Sequence, residues 1–379
     1  MYKRQDIYQL SVEHLRFAGQ ECHDLILTYL NMIIDNINTV QCSEMKTACG
    51  SIIYKGKSKP MTHHKSYRTV RVTPLLGRIL DEYMKKPTND IFTPHQNPNQ
   101  YGFTPNITYL MGALQRHECQ KYALDEKKTC FSVSLDGDSA FEVVDRDILT
   151  NELYHNGERG EVWQYSNNMY ENTKSAIKME GRISREFDEE LGSRQGHCKA
   201  ADHYKAYVNP LLNTIDESDL GMVIGPVTIT VDGVADDTYL VTDNPTKMQV
   251  LLDIAEHYGG RYRSEFGAAK TKLTVIGSDI VREFYSDMSP WSINNEKVAV
   301  VNDNEHLGLI VSGENEEIKN VDANVAKGRK SLFALLGPAF SSKSTLSPVV
   351  QIHLFRLFTC AITRSGLSAR LSVPTISCR

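Results

Sequence analysis

The sequence predicts a globular protein of mixed α and β structure, built from two or three packed units. Its 379 residues exceed the length of one average domain. Its 41% hydrophobic and 23% charged residues are close to the averages of soluble globular proteins, which excludes wholesale disorder and a polytopic membrane protein. Segments with apolar residues at helical spacing alternate with short runs of strand-like alternation, which predicts helices and strands together.

The N-terminal third combines helical and strand signals. Leu15, Ala18, Cys22 and Leu25 begin an apolar series at helical spacing, which predicts a buried amphipathic helix. The elements that follow are short and separated by turn residues. In order, we predict a helix over 15–37, strands over 51–54 and 67–72, a helix from Pro74 through Met84, and a helix over 107–124 capped by Asn106.

The second part of the chain carries strands that end at acidic residues. The run "CFSVSL" predicts a strand that delivers Asp136, and "VADD" predicts a bend at Asp236 and Asp237. Asn244 followed by Pro245 is typical of a helix start. The remaining predictions are strands over 228–231 and 234–242, a helix from Ala200, a helix ending at His257 before Gly259 and Gly260, and a strand over 272–277.

The last predicted helix has two distinct faces. Apolar residues recur on one face from Ile318 to Leu335, and Lys319, Lys327 and Lys330 fall on the opposite face. We therefore expect the apolar face to pack on protein and the lysine face to meet a polyanion.

Charge is unevenly distributed along the chain. The net charge is −5, which by itself argues against a nucleic-acid partner. Residues 51–80, however, contain no Asp or Glu and seven cations, which predicts a local basic face, although a solvated loop is the usual reading of such a stretch. These cations are Lys55, Lys57, Lys59, Lys65, Arg68, Arg71 and Arg78.

Targeting and redox signals are missing from the sequence. The apolar run over 349–360 is shorter than the roughly 20 residues of a membrane span and contains His353 and Arg356. The first ten residues have no apolar segment behind their basic start. The eight cysteines show neither a C-x-x-C pair nor zinc spacing, so reduced thiols are expected. We expect an intracellular protein of the nucleus or cytoplasm, neither secreted nor membrane-bound.

Two carboxylate signals carry the chemistry. Each alone has a plain reading, because an Asp pair in a turn is most often turn chemistry and "LDGDSAF" lacks the further ligands of a calcium loop. Together, Asp136 and Asp236, on strands and without His or Cys nearby, predict an all-oxygen site suited to magnesium. Two such ions clamp a phosphoryl transfer, as in polymerases and in some nucleotide cyclases.

Seven sequence blocks occur in a fixed order along the chain. They are the fingers segment with Tyr67-Arg68, "NQYGFTPNIT", "LDGDSAFEVVDRDIL", "GSRQGHCKAADHYKAYVNPLL", "VADD", "GAAKTKLTVIG" and "NEHLGL". Their order resembles the reverse transcriptase of LINE-type non-LTR retrotransposons across nearly the whole chain. The resemblance implies an α+β right-hand polymerase with fingers over 1–128, a ferredoxin-like palm over 129–290 that includes a Gln-Gly motif at 193–212, and a primer-grip hairpin and partial helical thumb over 291–379.

The resemblance also implies a metal site. Asp136 and Asp236 would bind two Mg²⁺ ions, which Mn²⁺ would be able to replace, with Asp237 beside them and the Gly137 carbonyl as a further ligand. Val234 stands where the family commonly has an aromatic residue before Ala-Asp-Asp. That departure removes no metal ligand.

The family's nucleotide contacts carry over onto five residues. Phe141 would exclude a 2′-hydroxyl, Arg68 would hold the triphosphate, and Lys270 would protonate or screen the leaving pyrophosphate. Gln195 and Gly196 would lie against the nascent base pair. Primer-template contacts would come from His306, Leu307 and Gly308 at the primer end, and from Lys55, Lys57, Lys59, Lys327 and Lys330.

The function implied is RNA-directed DNA synthesis, in which deoxynucleoside triphosphates extend a DNA primer on an RNA template. One alternative is an inactive retrotransposon-derived remnant that binds primer-template without polymerising. A nucleotide cyclase fits the aspartates but leaves the basic fingers and the Gln-Gly motif unexplained. Because family members carry an endonuclease and further C-terminal sequence, we expect this chain to be a fragment or a domain.

Overall fold

The computed structural model describes residues 5–37, 43–56, 59–137, 140–179 and 181–340. The helices are α1 Val12–Arg16, α2 Gln20–Asp35, α3 Leu75–Phe92, α4 Leu110–Asp125, α5 Arg146–His155, α6 Gly160–Tyr170, α7 Ala200–Glu217, α8 Pro245–Tyr262, α9 Asp279–Asp287 and α10 Glu316–Phe340. The strands are β1 Thr47–Tyr54, β2 Tyr67–Val72, β3 Cys130–Asp136, β4 Lys174–Met179, β5 Arg182–Ile183, β6 Phe187–Asp188, β7 Met222–Ile224, β8 Val227–Ile229, β9 Val231–Val234, β10 Asp237–Thr242, β11 Lys272–Ile276, β12 Ser292–Ile293, β13 Glu296–Lys297, β14 Ala299–Val300, β15 Asp303–His306 and β16 Leu309–Ser312. Mixed α and β structure is confirmed. Within the described ranges, no helix is long and apolar enough to cross a membrane.

One sheet joins two distant parts of the chain. Its strand order is β2-β1-β4-β5, with β6 also paired to β4. β1 is antiparallel to β2 and parallel to β4, so residues 174–188 complete a sheet that the N-terminal region begins. The boundary at residue 128 stays a prediction, but this pairing places 174–188 beside the strands of the predicted fingers.

The second sheet forms the centre of the molecule. Its order is β14-β11-β3-β10-β9, and β3 pairs antiparallel with both β10 and β11. The largest apolar core lies between this sheet and the helices α7 and α8, where burial of apolar side chains is the main stabilising term. Its fully buried members include Val133, Leu135, Leu211, Leu212, Leu240, Met248, Leu251 and Leu252.

Two helix boundaries differ from the sequence prediction. α4 begins at Leu110 instead of residue 107, because Asn106 adopts a left-handed φ of +62° and does not cap the helix. α8 starts as predicted, with the Asn244 side chain accepting hydrogen bonds from two backbone amides. It then continues through Gly259 to Tyr262. Gly259 packs closely on residues 264–265, and its lack of a side chain permits this contact.

The first long helix is less buried than predicted. α2 covers Gln20–Asp35, and only Leu30 and Ile33 within it are buried, whereas Leu25 is 71% exposed. These buried side chains join Leu80 and others in a small second core. One narrow stripe, not the whole apolar series, therefore anchors this helix.

The surroundings of α10 over residues 316–330 differ from the prediction. Lys319 Nζ lies 2.6 Å from Asp303 Oδ1, and Lys327 Nζ lies 3.3 Å from Glu305 Oε1, so the lysine face meets acidic residues of the β15–β16 hairpin. On the apolar face, Ile318, Val321 and Val325 are exposed, with 62% of Ile318 accessible. Ion pairing with the hairpin thus decides how this helix lies.

Candidate active site

Three carboxylates lie at one end of the central sheet. Asp136 is the last residue of β3, and it stands directly opposite Asp237, the first residue of β10. Asp236 precedes Asp237 in the bend between β9 and β10, after Ala235 with a left-handed φ of +61°. The antiparallel register therefore brings together residues that are about a hundred positions apart in sequence.

The carboxylates crowd one another electrostatically. Burial raises the pKa of Asp236, and the negative charge of Asp136 raises it further. Burial likewise raises the pKa of Asp237, and Asp236 is the next largest cause. A bound divalent cation would relieve this repulsion, so the donor chemistry fits Mg²⁺ or Mn²⁺.

The side chains do not form a complete metal cage. Among the described residues, no three His, Cys, Asp or Glu side chains are grouped closely enough to hold a metal ion. Mg²⁺ commonly takes one or two carboxylates and fills its other positions with water and substrate phosphate oxygens. The site therefore suits an ion that arrives with a phosphate-bearing substrate.

Lys270 borders the carboxylates. Its Nζ lies 3.5 Å from Asp136 Oδ1, and both side chains are about half exposed. The neighbouring Gly137 forms an isolated bridge with Phe266, which ties the end of β3 to the segment before Lys270. A half-exposed cation therefore lies next to the carboxylates.

Phe141 stacks on a tyrosine next to the aspartates. Its ring lies 4.1 Å from the Tyr204 ring, centroid to centroid, with an interplanar angle of 24°. Burial raises the pKa of Tyr204, and the negative charge of Asp236 adds to this rise. Phe141 is only partly buried, unlike a core phenylalanine. Its partly exposed ring is available to a ligand.

The Gln195–Gly196 loop lies against the first sheet. Gly196 has a φ of +91°, and its carbonyl accepts a hydrogen bond of 3.0 Å from Thr73 Oγ1. A side chain there would bring its Cβ to 3.1 Å from the Arg71 carbonyl oxygen. Because Arg71 and the exposed Arg68 share β2, the loop and the predicted triphosphate contact lie on neighbouring elements.

Buried charges that the sequence analysis missed hold this loop. His197 Nε2 lies 2.8 Å from Asp81 Oδ1, and both side chains are at most 2% exposed. Arg194 is also buried, and it donates to the Met45 carbonyl at 2.7 Å. Burial raises the pKa of Asp81, but His197 and the Tyr165 hydroxyl outweigh that effect and lower it. In the sequence, the signal for these residues was the presence of charged side chains on either side of the Gln-Gly motif.

In the β15–β16 hairpin, the turn is accessible and the histidine is buried. Leu307 is partly buried and Gly308 is exposed at the turn. His306 is 3% exposed, with its ring 4.8 Å from that of Tyr239 and its Nε2 3.8 Å from Asp232 Oδ1. Its side chain therefore faces the protein, and a direct primer contact through it stays a prediction.

The predicted phosphate-binding lysines have different surroundings. Lys55 and Lys59 are exposed, and Lys55 Nζ donates to the Lys65 carbonyl at 3.0 Å. Lys327 Nζ donates to the Gly308 carbonyl at 3.1 Å in addition to its contact with the hairpin acid, whereas Lys330 is exposed. Lys57 lies outside the described residues.

The sequence is similar to known reverse transcriptase sequences. The family described as "Reverse transcriptase (RNA-dependent DNA polymerase)" matches residues 55–319. Over 195 residues the chain is 25% identical to the "Retrovirus-related Pol polyprotein from type-2 retrotransposable element R2DM" of Drosophila melanogaster, which covers 50% of this chain and 18% of that protein. The matched stretch thus spans less than a fifth of that relative.

Two solved structures have a similar fold. Apo telomerase from Candida tropicalis, truncated from its C-terminal domain, matches with a TM-score of 0.51 at 10% identity, covering 76% of this chain and 58% of that one. Telomerase from the same organism in complex with a TWJ fragment of telomeric RNA matches with a TM-score of 0.50 at 10% identity, covering 88% and 57%. At this identity the likeness concerns the fold alone.

Proposed function

The chain belongs to the reverse transcriptase family and has the right-hand polymerase fold, and from this premise we propose that it adds deoxynucleotides to a primer 3′-hydroxyl on an RNA template. The observation that carries the proposal is the register of Asp136 opposite Asp237, with Asp236 in the adjoining bend. RNA template, DNA primer and deoxynucleoside triphosphates are the proposed partners. Location in the nucleus or cytoplasm stays a prediction.

The metal site is part of the proposal. Asp136 and Asp236 would hold two Mg²⁺ ions, with Asp237 and the Gly137 carbonyl as additional ligands. When bound, these ions lower the pKa of an attacking hydroxyl and offset negative charge on departing pyrophosphate. The raised pKa values of Asp236 and Asp237 support this assignment, because closely spaced carboxylates favour a bound cation.

The neighbouring side chains bind and orient the nucleotide. Arg68, exposed on β2, offers a planar donor fork to the triphosphate. Lys270, next to Asp136, screens the departing pyrophosphate. Phe141 fills the space that a 2′-hydroxyl needs, while Gln195 and Gly196 lie against the nascent base pair. The contact of Lys270 with Asp136 and the stacking of Phe141 on Tyr204 support their assignments. Arg68 lies on β2 of the first sheet, against which the Gln195–Gly196 loop packs.

The primer-template surface is proposed from exposed groups. Lys55, Lys59 and Lys330 supply accessible cations, and Leu307 with Gly308 forms the turn that presses on the primer end. His306, which packs on Tyr239 beneath this turn, supports the turn, and its own primer contact stays a prediction. Lys327 contributes through the same turn, since it already contacts the Gly308 carbonyl.

Primer extension with RNA template and Mg²⁺ tests the proposal. The wild-type chain should extend the primer, and Asp236→Asn should lower the rate by about 10³-fold or more, because it removes a charged metal ligand. Asp287→Asn, an exposed aspartate at the end of α9, is the matched control and should retain activity. If the wild type binds primer-template but does not extend it, the binding remnant is correct.

Stability separates lost chemistry from lost folding in the same variant. Since the pKa of Asp236 is raised in the folded state, its ionised form costs stability, and this cost begins as the pH rises above the ordinary value of 3.8. Asp236→Asn should therefore melt at or above the wild-type temperature at pH 7, and the gain should vanish below pH 3.8. A lower melting temperature at pH 7 would assign the lost activity to folding.

A further inference from the structure

The segment Asn99–Gly102 runs beside β9, the edge strand of the central sheet. Gly233 N donates to the Asn99 carbonyl at 2.9 Å, and Tyr101 N donates to the Gly233 carbonyl at 2.7 Å. These two bonds join the segment to β9 through an isolated parallel bridge between Gln100 and Gly233. The "QYG" residues, to which no role was given above, therefore lie beside the bend that carries the aspartates.

The Gln100 side chain reaches into that bend. It is 1% exposed, and its Oε1 accepts two backbone hydrogen bonds, one of 2.9 Å from Gly102 N and one of 3.0 Å from Ala235 N. A single carbonyl oxygen thus joins the two chain segments. The bond to Ala235 holds the residue that immediately precedes Asp236.

Ala235 needs such support. Its φ of +61° lies in the left-handed region, which residues with a Cβ rarely adopt unless their surroundings enforce it. Strain of this kind gathers at functional sites, where it aims side chains. Here the strained residue directs the chain into Asp236 and Asp237.

Gly102 closes the other side of the same contact. A side chain at Gly102 would bring its Cβ within 2.2 Å of Ala235 N and 2.9 Å of the Val234 carbonyl carbon. Only glycine allows this approach, since the clashing atoms are backbone and do not rotate away. The glycine therefore lets the Gln100 segment press directly on the bend.

The segment is itself fixed to α7. Asn97 N donates to Asn209 Oδ1 at 2.7 Å, and Asn99 Nδ2 donates to Asp216 Oδ1 at 3.2 Å. Because α7 packs in the largest core, its hydrogen bonds give Gln100 a rigid base. These bonds connect α7 to the Gln100 segment, and the Gln100 side chain connects that segment to the bend.

We propose that Gln100 is a positioning residue that holds Ala235 in its left-handed conformation and so aims Asp236 and Asp237 at Asp136. The residue touches neither substrate nor metal in this scheme. The inference rests on the polymerase activity proposed above, and it names a determinant of that activity outside the carboxylates.

Three variants test it. Gln100→Met keeps the side-chain length but removes the acceptor, and we expect kcat for primer extension to fall by about 10–100-fold, as a small misplacement of catalytic groups does. The KM for the deoxynucleotide should change by less than about threefold, because the nucleotide contacts are untouched. Gln120→Met is the matched control, since Gln120 is buried and no described hydrogen bond joins it to the bend.

The third variant distinguishes positioning from general support. Ala235→Gly removes the steric cost of the left-handed conformation, so adding it to Gln100→Met should recover kcat by about threefold or more. No recovery, in a double variant that melts like the wild type, would overturn the proposal. An unchanged kcat in folded Gln100→Met would do so as well.

Amide exchange supplies a readout that needs no activity. The Ala235 N–H should exchange with solvent at least about tenfold faster in Gln100→Met than in the wild type, because its acceptor is gone. If the wild type fails to extend a primer, the proposed function is wrong, and this exchange rate alone decides the positioning role. Equal exchange rates in the two proteins would refute it.

Discussion

Phe141 shows how one residue's burial bears on its proposed task. A core phenylalanine is enclosed on all sides, whereas Phe141 rests one face of its ring on Tyr204 and keeps part of its surface open. The stack positions the ring, and the buried Tyr204 keeps that position next to the aspartates. The geometry suits a steric role at the sugar.

Replacing Phe141 with valine tests sugar discrimination. The smaller side chain should admit ribonucleotides, so the preference for dNTP over rNTP in steady-state extension should fall by about tenfold or more, since a packed side chain excludes a hydroxyl by contact alone. The cost in stability should stay below the roughly 3–5 kcal/mol of a buried phenylalanine truncation. If the folded variant keeps the wild-type preference for dNTP over rNTP, Phe141 does not discriminate between the two sugars.

At the scale of elements, α10 is attached to the rest of the molecule by polar contacts at its start. Glu316 accepts from Ser312 N at 3.0 Å and lies 3.4 Å from His117 Nδ1 on α4. Lys319 adds its ion pair with Asp303. Charged and polar groups therefore contribute to the strength of this junction.

The junction should weaken as pH rises. The hydrogen bond to Glu316 raises the pKa of His117, so the stabilisation is complete below the ordinary value of 6.5 and is lost as pH rises through the higher folded-state value. From pH 6 to pH 8, exchange of the 316–320 amides, corrected for intrinsic rates, should accelerate by about two- to fivefold, as expected for a partly exposed ion pair.

His117→Gln should abolish that pH dependence, because the side chain can no longer become charged. His257→Gln, which changes an exposed histidine of α8, should keep it. If the corrected exchange of the 316–320 amides is the same at both pH values in the wild type, the pair does not control the junction.

At the scale of the whole molecule, positive and negative charges are unevenly distributed. The chain is acidic overall, at −5, yet the exposed residues Lys55 and Lys59 belong to the basic stretch of 51–80. The lysines of α10, by contrast, partly neutralise hairpin acids. Phosphate attraction is therefore expected mainly from the fingers side.

Salt dependence measures this asymmetry. Lys59→Ala should lower the slope of log affinity against log salt by about 0.7–0.9 for primer-template, the value for one lost phosphate contact. Lys297→Ala, an exposed lysine of β13, should leave the slope unchanged. Equal slopes for wild type and Lys59→Ala would show that Lys59 is only a solvated cation.

The sequence by itself determined many of the local elements and the family. Alternation in "CFSVSL" and "YRTVRV" was enough to predict β3 and β2, because the two-residue period of a strand is written directly in the chain. The Asn244–Pro245 start of α8 followed from capping chemistry. The order of motifs identified the family, and the right-hand polymerase fold is confirmed.

Only the tertiary structure decided which face of each element meets which partner. The pattern of α10 shows two faces, but only the folded chain pairs Lys319 and Lys327 with acidic residues on the hairpin. His306 lies in a predicted hairpin, yet Tyr239 across from it determines its burial. The grip of Gln100 on Ala235 and the pairing of Asp81 with His197 join distant segments. Periodicity is a local property of sequence, whereas burial and charge pairing depend on neighbours that the folded chain alone supplies.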